Sequence, residues 1–285
     1  MARLPLLAAA LALLAAASAS AASSWFHEQF VTDGTVRLDH DASGQPVTQL
    51  ILDRQSGGGF ASRQKYMYGE FSIHLKLVRG DSAGTVTSFY LSSDDGPGHD
   101  EIDMEFMGNV SGDPVALNTN VWAQGDGRKE HQFYLWFDPA ADFHKYTILW
   151  NHKNIIFSVD DVVVRCFRRR PDLPYPGGKP MAVHASLWDG SVWATRQGTV
   201  KINWASAPFV VSYRGYSVDA CTAPHGVGHG RPLNCPAGTD RWMEKEPSAA
   251  EWRSVAWARE KYMHYDYCKD WWRFNHSFPP ECFRH

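Results

Sequence analysis

Beyond its first residues the chain has no apolar run long enough to span a bilayer, no internal repeat, and few stretches with a helical period. Those absences exclude a membrane-spanning bundle and a repeat solenoid. Charge of one sign is missing as well. The 28 basic and 31 acidic residues leave a net charge of −3, which provides no footprint for nucleic acid or a membrane surface as partner. The local exception is Arg165, Arg168, Arg169 and Arg170 ahead of Pro171, read as a solvated loop rather than a polyanion site. What is present is apolar and aromatic residue in quantity, 44% and 13% of 285 residues, enough for a sizeable core.

Residues 1–22 carry Arg3, an apolar Leu and Ala run, and the small-residue steps Ala17-Ser-Ala19 and Ala19-Ser-Ala21. This reads as a secretion signal followed by a protein of the extracellular space. In an oxidising compartment the five cysteines read as disulfides. Cys221 with Cys235 and Cys268 with Cys282 each close a short loop, and Cys166 is left over. A rival reading takes Cys221, His225, His229 and Cys235 as zinc ligands, but the intervening glycines and prolines suit a disulfide loop better. No metal or cofactor is expected. Asn109-Val-Ser111 and Asn275-His-Ser277 are sequons.

From Trp25 to about Ser217, short alternating or apolar runs are broken by Gly, Asp, Asn and Pro clusters. Thr85-Val-Thr-Ser-Phe-Tyr-Leu91 and Ile155-Ile-Phe-Ser-Val159 are examples. The class is all-β, a two-sheet antiparallel sandwich. The expected division is a signal at 1–22, the β domain at 23–220 and a disulfide-stapled extension at 221–285. In the extension, Ser248-Ala-Ala-Glu251 is a capping box before a helix reaching about Tyr262, with Trp252, Val255, Ala256 and Arg259 as its packing stripe.

The stretch His99-Asp-Glu-Ile-Asp-Met-Glu-Phe106 carries the chemistry. With period two, Glu101, Asp103 and Glu105 share one strand face while Ile102, Met104 and Phe106 face a core. Acids are poor strand formers and like charges on one face repel, so a purely structural strand avoids this pattern. Four residues at about 3.3 Å rise separate the Glu101 and Glu105 Cα atoms by roughly 13 Å, and inclined side chains can bring the carboxyls to about 5 Å. That spacing suits glycosidic cleavage by retaining double displacement, with Asp103 between them splitting the pKa values. A solvated acidic edge strand and a calcium site are the competing readings. Calcium loops carry glycine and space their ligands on turns, which this stretch does not.

Trp188 and Trp193 flank a short polar loop and offer flat faces to pyranose rings. Asn118-Thr119-Asn120 and the run Gln124 to Glu130 add groups that can hydrogen-bond sugar hydroxyls.

HDEIDMEFMGN, SAGTVTSFYLSS, QFYLWFDP, YPGGKPMAVHASLWDGSVWATR and KYMHYDYC with FPPEC resemble plant xyloglucan endotransglucosylase/hydrolases of glycoside hydrolase family 16, across the whole mature chain. The resemblance implies a concanavalin-like β-jelly-roll with an open cleft, Glu101 as nucleophile, Asp103 as helper and Glu105 as general acid and base. It implies xyloglucan contacts at Asn118, Thr119, Asn120, Arg128, Lys129, Glu130, Val192, Trp193, Gln197 and Arg273, and a glycan on Asn109. Asn118 stands where the family usually has His or Gln, Lys129 where Arg is usual, Val192 where an acid is common, and Gln197 where Gly is common. The implied function is xyloglucan cutting and rejoining by a secreted monomer of the apoplast and cell wall, whose partners are xyloglucan polymer and its oligosaccharides. A predominantly hydrolytic glucanase on xyloglucan or mixed-linkage glucan is the alternative, followed by a noncatalytic sugar-binding jelly-roll.

Overall fold

The computed structural model describes residues 23–94, 96–223, 234–275 and 277–284. The expected secretion signal lies outside these residues. The strands are β1 (Phe30–Gly34), β2 (Val36–His40), β3 (Pro46–Leu52), β4 (Gly58–Lys76), β5 (Thr85–Ser92), β6 (Glu101–Met107), β7 (Ala116–Trp122), β8 (His131–Tyr134), β9 (His144–Trp150), β10 (Asn154–Val159), β11 (Val162–Arg168), β12 (Met181–Asp189), β13 (Phe209–Thr222) and β14 (Met263–Asp266). Every pairing among them is antiparallel.

The long strand β4 joins two layers. Its first half pairs with β1 and β12, and its second half pairs with β9 and β13. The change falls at Tyr68 and Gly69, both with positive φ. A Cβ on Gly69 would lie 2.3 Å from the Ala220 Cβ, so the crossing needs glycine. The front sheet runs β1-β4-β12-β5-β6-β7-β8-β14 and the back sheet β2-β3-β13-β4-β9-β10-β11. Their inner faces meet in one core that includes Phe71, Phe89, Met104, Phe106, Tyr146, Phe157 and Val183. The Phe106 ring meets Tyr146 edge-on at 4.7 Å, and the Tyr213 hydroxyl donates across the sandwich to the Ser88 carbonyl at 3.0 Å. Burial of each such large side chain stabilises by about 1.5–3 kcal/mol.

The extension packs onto both sheets. Strand β14 pairs with β8 and widens the front sheet. The helix Ala249–Lys261 begins at the expected Ser248–Glu251 capping box and lies on the outer face of the back sheet, where Val255 joins Leu149, Ile156, Val163 and Trp242. Its stripe differs in one place: Ala258 is buried and Ala256 is exposed, because the packing row follows Trp252, Val255 and Ala258 at threefold spacing. Both expected disulfides are formed. Cys166 is the free thiol, and burial pushes it up to about 12, which keeps it a thiol at neutral pH.

The arginine run is not one solvated patch. Arg165 is 2% exposed. It donates to the Thr119 carbonyl at 2.6 Å, the Thr119 hydroxyl at 2.9 Å and the Lys129 carbonyl at 2.6 Å. Alternation along β11 turns it inward, so it braces β7 from beneath, and burial lowers it to about 10. Arg168 lies over the Trp252 ring at 4.8 Å and Arg169 over Tyr175 at 5.9 Å.

Candidate active site

Strand β6 is paired along its whole length with β5 on one side and β7 on the other, so it is a central strand and not an acidic edge. Ile102, Met104 and Phe106 point into the core with at most 1% exposure. The outward acids then meet fixed neighbours. Glu101 lies between Ser92 and Trp122, Asp103 between Tyr90 and Asn120, and Glu105 between Ser88 and Asn118. This grid of hydrogen-bonding and aromatic groups surrounds the three crowded carboxyls.

All three carboxyls are raised, first by burial and then by different neighbours. Burial pushes Glu105 up to about 7, against a hydrogen bond from Asn118 Nδ2 to Glu105 Oε2 at 2.9 Å that favours its ionised form. Asp103 is raised well above the usual carboxylate range, first by burial and then by the charges of Glu101 and Glu105. Its hydrogen bond with Glu101 raises Asp103 and lowers Glu101, so Asp103 keeps the proton and Glu101 accepts it. Burial raises Glu101 too, but Ser92, His99 and Asp103 all pull against that rise. His99 Nε2 stands 4.0 Å from Glu101 Oε2, and its ring stacks on Trp122 at 5.0 Å. Glu101 is therefore raised against opposing neighbours, while burial carries Glu105 up to about 7. Replacing Asn118 with Leu removes the bond that stabilises ionised Glu105. The basic limb of kcat/KM then moves upward by about one pH unit. An unmoved limb in the pH profile would rule out Glu105 as its source.

The acids form the floor of a cleft of about 1090 Å³. One wall is the loop carrying Val192, Trp193 and Gln197, and the other is supplied by the extension with His264, Tyr265, Trp272 and Arg273. Arg273 makes a two-pronged pair with Glu130 at 2.7 and 2.8 Å and donates to the Tyr265 hydroxyl at 3.0 Å. Tyr265 donates in turn to Asp270 Oδ2 at 2.8 Å. These bonds hold the Arg273 guanidinium above its ordinary range despite partial burial.

Of the expected residues, the cleft gathers Glu101, Asp103, Glu105, Asn109, Asn118, Asn120, Glu130, Val192, Trp193, Gln197 and Arg273. Four stand elsewhere. Thr119 points inward by strand alternation and receives Arg165. Lys129 is 6% exposed, and its ammonium ties down the carbonyls of Asp126 and Gly127. Arg128 pairs with Asp126 at 3.1 Å. Trp188 stands behind Trp193, ring centroids 6.0 Å apart, against Val86, Met107, Ala116 and Ala194. In the zinc alternative both thiols are used in the Cys221–Cys235 bond, while His225 and His229 lie outside the described residues.

Sequence reasoning missed Gln132, Tyr134, His264, Tyr265 and Trp272. Alternation along QFYLWFDP signals the outward face of Gln132 and Tyr134. Nothing local signals that Tyr265 would pair beside Gln132, because that register joins residues 133 positions apart in the chain.

A β-sandwich with two glutamates four residues apart on the floor of an open cleft, flanking a buried aspartate, has the make-up of a glycoside hydrolase. Residues 27–206 match the model for glycosyl hydrolases family 16, and residues 237–282 match that for the xyloglucan endo-transglycosylase C-terminus. The chain therefore belongs to glycosyl hydrolases family 16, in its xyloglucan endotransglucosylase/hydrolase branch. Xyloglucan endotransglycosylase/hydrolase protein 8 of Oryza sativa subsp. japonica is 58% identical over 280 residues, covering 97% of each chain. Xyloglucan endotransglucosylase protein 7 of Diospyros kaki is 47% identical over 257 residues, covering 88% of this chain and 92% of its own. Among solved structures, a native glycosidic hydrolase aligns with TM-score 0.53 at 25% identity over 70% of this chain and 92% of its own. A Bacillus licheniformis β-glucanase aligns with TM-score 0.51 at 23% identity, over 65% and 89%, and shares the fold.

Proposed function

We propose that this enzyme is a xyloglucan endotransglucosylase that cuts the β-1,4-glucan backbone and rejoins it to a second xyloglucan chain. Glu101 attacks the anomeric carbon while Glu105 gives its proton to the departing oxygen. Asp103 keeps its own proton and donates it in a hydrogen bond to Glu101, which orients the nucleophile and damps its charge. The glycosyl–enzyme ester forms and the reducing-end part of the donor leaves. Glu105, now ionised, takes the proton from an incoming sugar hydroxyl, whose oxygen displaces Glu101. Two displacements retain the anomeric configuration, and the Glu105 proton is restored.

The observation that carries the transferase reading is the wall built by the extension. The row Glu105, Asn118, Gln132, Tyr265 crosses β6, β7, β8 and β14 in register, so the extension lies on the side of the acid and base, where the acceptor must sit. Asn118 Oδ1 is buried there without a partner among the described residues, in place to accept a bond from a sugar hydroxyl. A held acceptor outcompetes water through its effective concentration. Val192, 81% exposed on the opposite wall, gives no hydrogen bond to sugar and favours the hydrolytic alternative. Secretion to the cell wall and a glycan on Asn109, at the edge of the cleft, complete the reading.

The test supplies the secreted protein with xyloglucan and a labelled xyloglucan oligosaccharide. Label entering polymer supports the transferase, and new reducing ends without label support the hydrolase. Replacing Arg273 with Ala leaves Glu130 unpaired and lowers the ratio of transfer to hydrolysis about tenfold, with Arg273→Lys intermediate because it loses the two-pronged geometry. An unchanged ratio would detach Arg273 from acceptor binding.

A further inference from the structure

Trp272 is 87% exposed, the most exposed large apolar side chain among the described residues, and it lines the cleft. Leaving an indole in water is unfavourable, and the surrounding structure holds it there instead of letting it collapse. Its turn is closed by the Cys268–Cys282 bond. The Arg273 amide donates to Asp270 Oδ1 at 3.1 Å and the Asn275 amide to the Trp272 carbonyl at 3.3 Å. The preceding Trp271 packs edge-on against Phe278 at 4.7 Å, and the following Arg273 is fixed by Glu130. Both chain neighbours are thus anchored, so the ring is presented with little ordering left to occur on binding. The same wall carries Tyr134, 39% exposed, with its ring centroid 4.0 Å from that of His264.

The wall has a definite place in the reaction. From Glu105 to Tyr265 the register crosses three strand steps, about 14 Å at 4.7–4.9 Å each, toward the acceptor side. That wall carries the hydrogen-bonded groups Glu130, Tyr265, Asp270 and Arg273, a polar surface suited to sugar hydroxyls. Trp272 adds a flat apolar face to the same wall, which suits the face of a pyranose ring and demands no particular hydroxyl pattern.

We infer that Trp272 is an outer acceptor-side platform that stacks on a backbone sugar of the acceptor beyond the residue whose hydroxyl attacks, making the enzyme prefer long acceptors. The inference rests on the xyloglucan transglucosylase reading and adds to it a length-selecting residue in the extension.

The test compares the parent and Trp272→Ala with xyloglucan oligosaccharides of one, two and three repeat units as acceptors. KM for the longer acceptors rises about tenfold in the variant, while KM for the shortest rises less than twofold. Trp272→Tyr recovers most of the loss. Calorimetric binding of the same series to Glu101→Ala, with and without Trp272→Ala, gives a readout independent of turnover. Loss of the length dependence of affinity in that pair supports the platform even if no transfer is seen, in which case the transferase reading alone fails. Equal affinities of the two proteins at every length, or an equal loss at every length, would overturn the platform.

Discussion

In the Glu101→Ala variant, cleavage of donor and transfer to acceptor both fall, by on the order of 10⁴ to 10⁶, as for loss of a nucleophile that acts with its neighbours as a unit. The two activities fall together because they share the glycosyl–enzyme formed on Glu101. Binding of oligosaccharide remains, since the walls of the cleft are untouched. The loss should be equal in a reducing-end assay and a label-transfer assay. A variant that still hydrolysed donor at a tenth of the parental rate would show that Glu101 does not form the covalent bond.

Replacing Glu105 with Gln separates catalysis from stability. Turnover of natural donor falls by about 10²–10⁴, because the departing sugar oxygen has no proton source. A donor with a dinitrophenyl leaving group needs no such proton, so its first displacement survives and the glycosyl–enzyme accumulates. The fold moves the other way. The folded-state value for Glu105 is about 7 against an ordinary 4.5, so its contribution is fully favourable below about 4.5 and is lost as pH rises through 7. That difference of about 2.5 units caps the cost of carrying the charge at pH 8 at about 3 kcal/mol. Thermal unfolding of Glu105→Gln should therefore occur at higher temperature than the parent at pH 8 and near the parental temperature at pH 4.5. A variant with no advantage at pH 8 would show that the carboxyl is not held against its charge. The site trades stability for a proton held at the pH where it must leave and return.

The sandwich and the acidic strand were legible because alternation is a local property. Ile102, Met104 and Phe106 go inward wherever β6 is placed, and the three acids must then share the other face. The same rule read one step further would have turned Thr119 inward, and it does, under the grip of Arg165. Lys129 and Arg128 stand outside the cleft lining for another reason. A loop cation can face a ligand or tie its own turn, and the carbonyls of Asp126 and Gly127 decide that by where they point. The arginine run concealed a buried residue because Arg165 sits on a strand facing the core, while Arg168 ends that strand and Arg169 and Arg170 lie beyond it.

By itself the sequence determined the strands, both disulfides, the capped helix and the sharing of one strand face by three acids, since each depends on residues within about fifteen positions of one another. Only the tertiary structure decided which strand neighbours each acid, and so which carboxyl keeps its proton, because burial and the bonds from Asn118, Ser92 and Trp122 arrive through strand pairing. It also decided that β14 lies beside β8, placing Tyr265, Trp272 and Arg273 on one wall of a cleft whose floor is formed more than a hundred residues earlier in the chain. Register between distant strands follows from how whole faces fit together, which no single stretch of sequence contains.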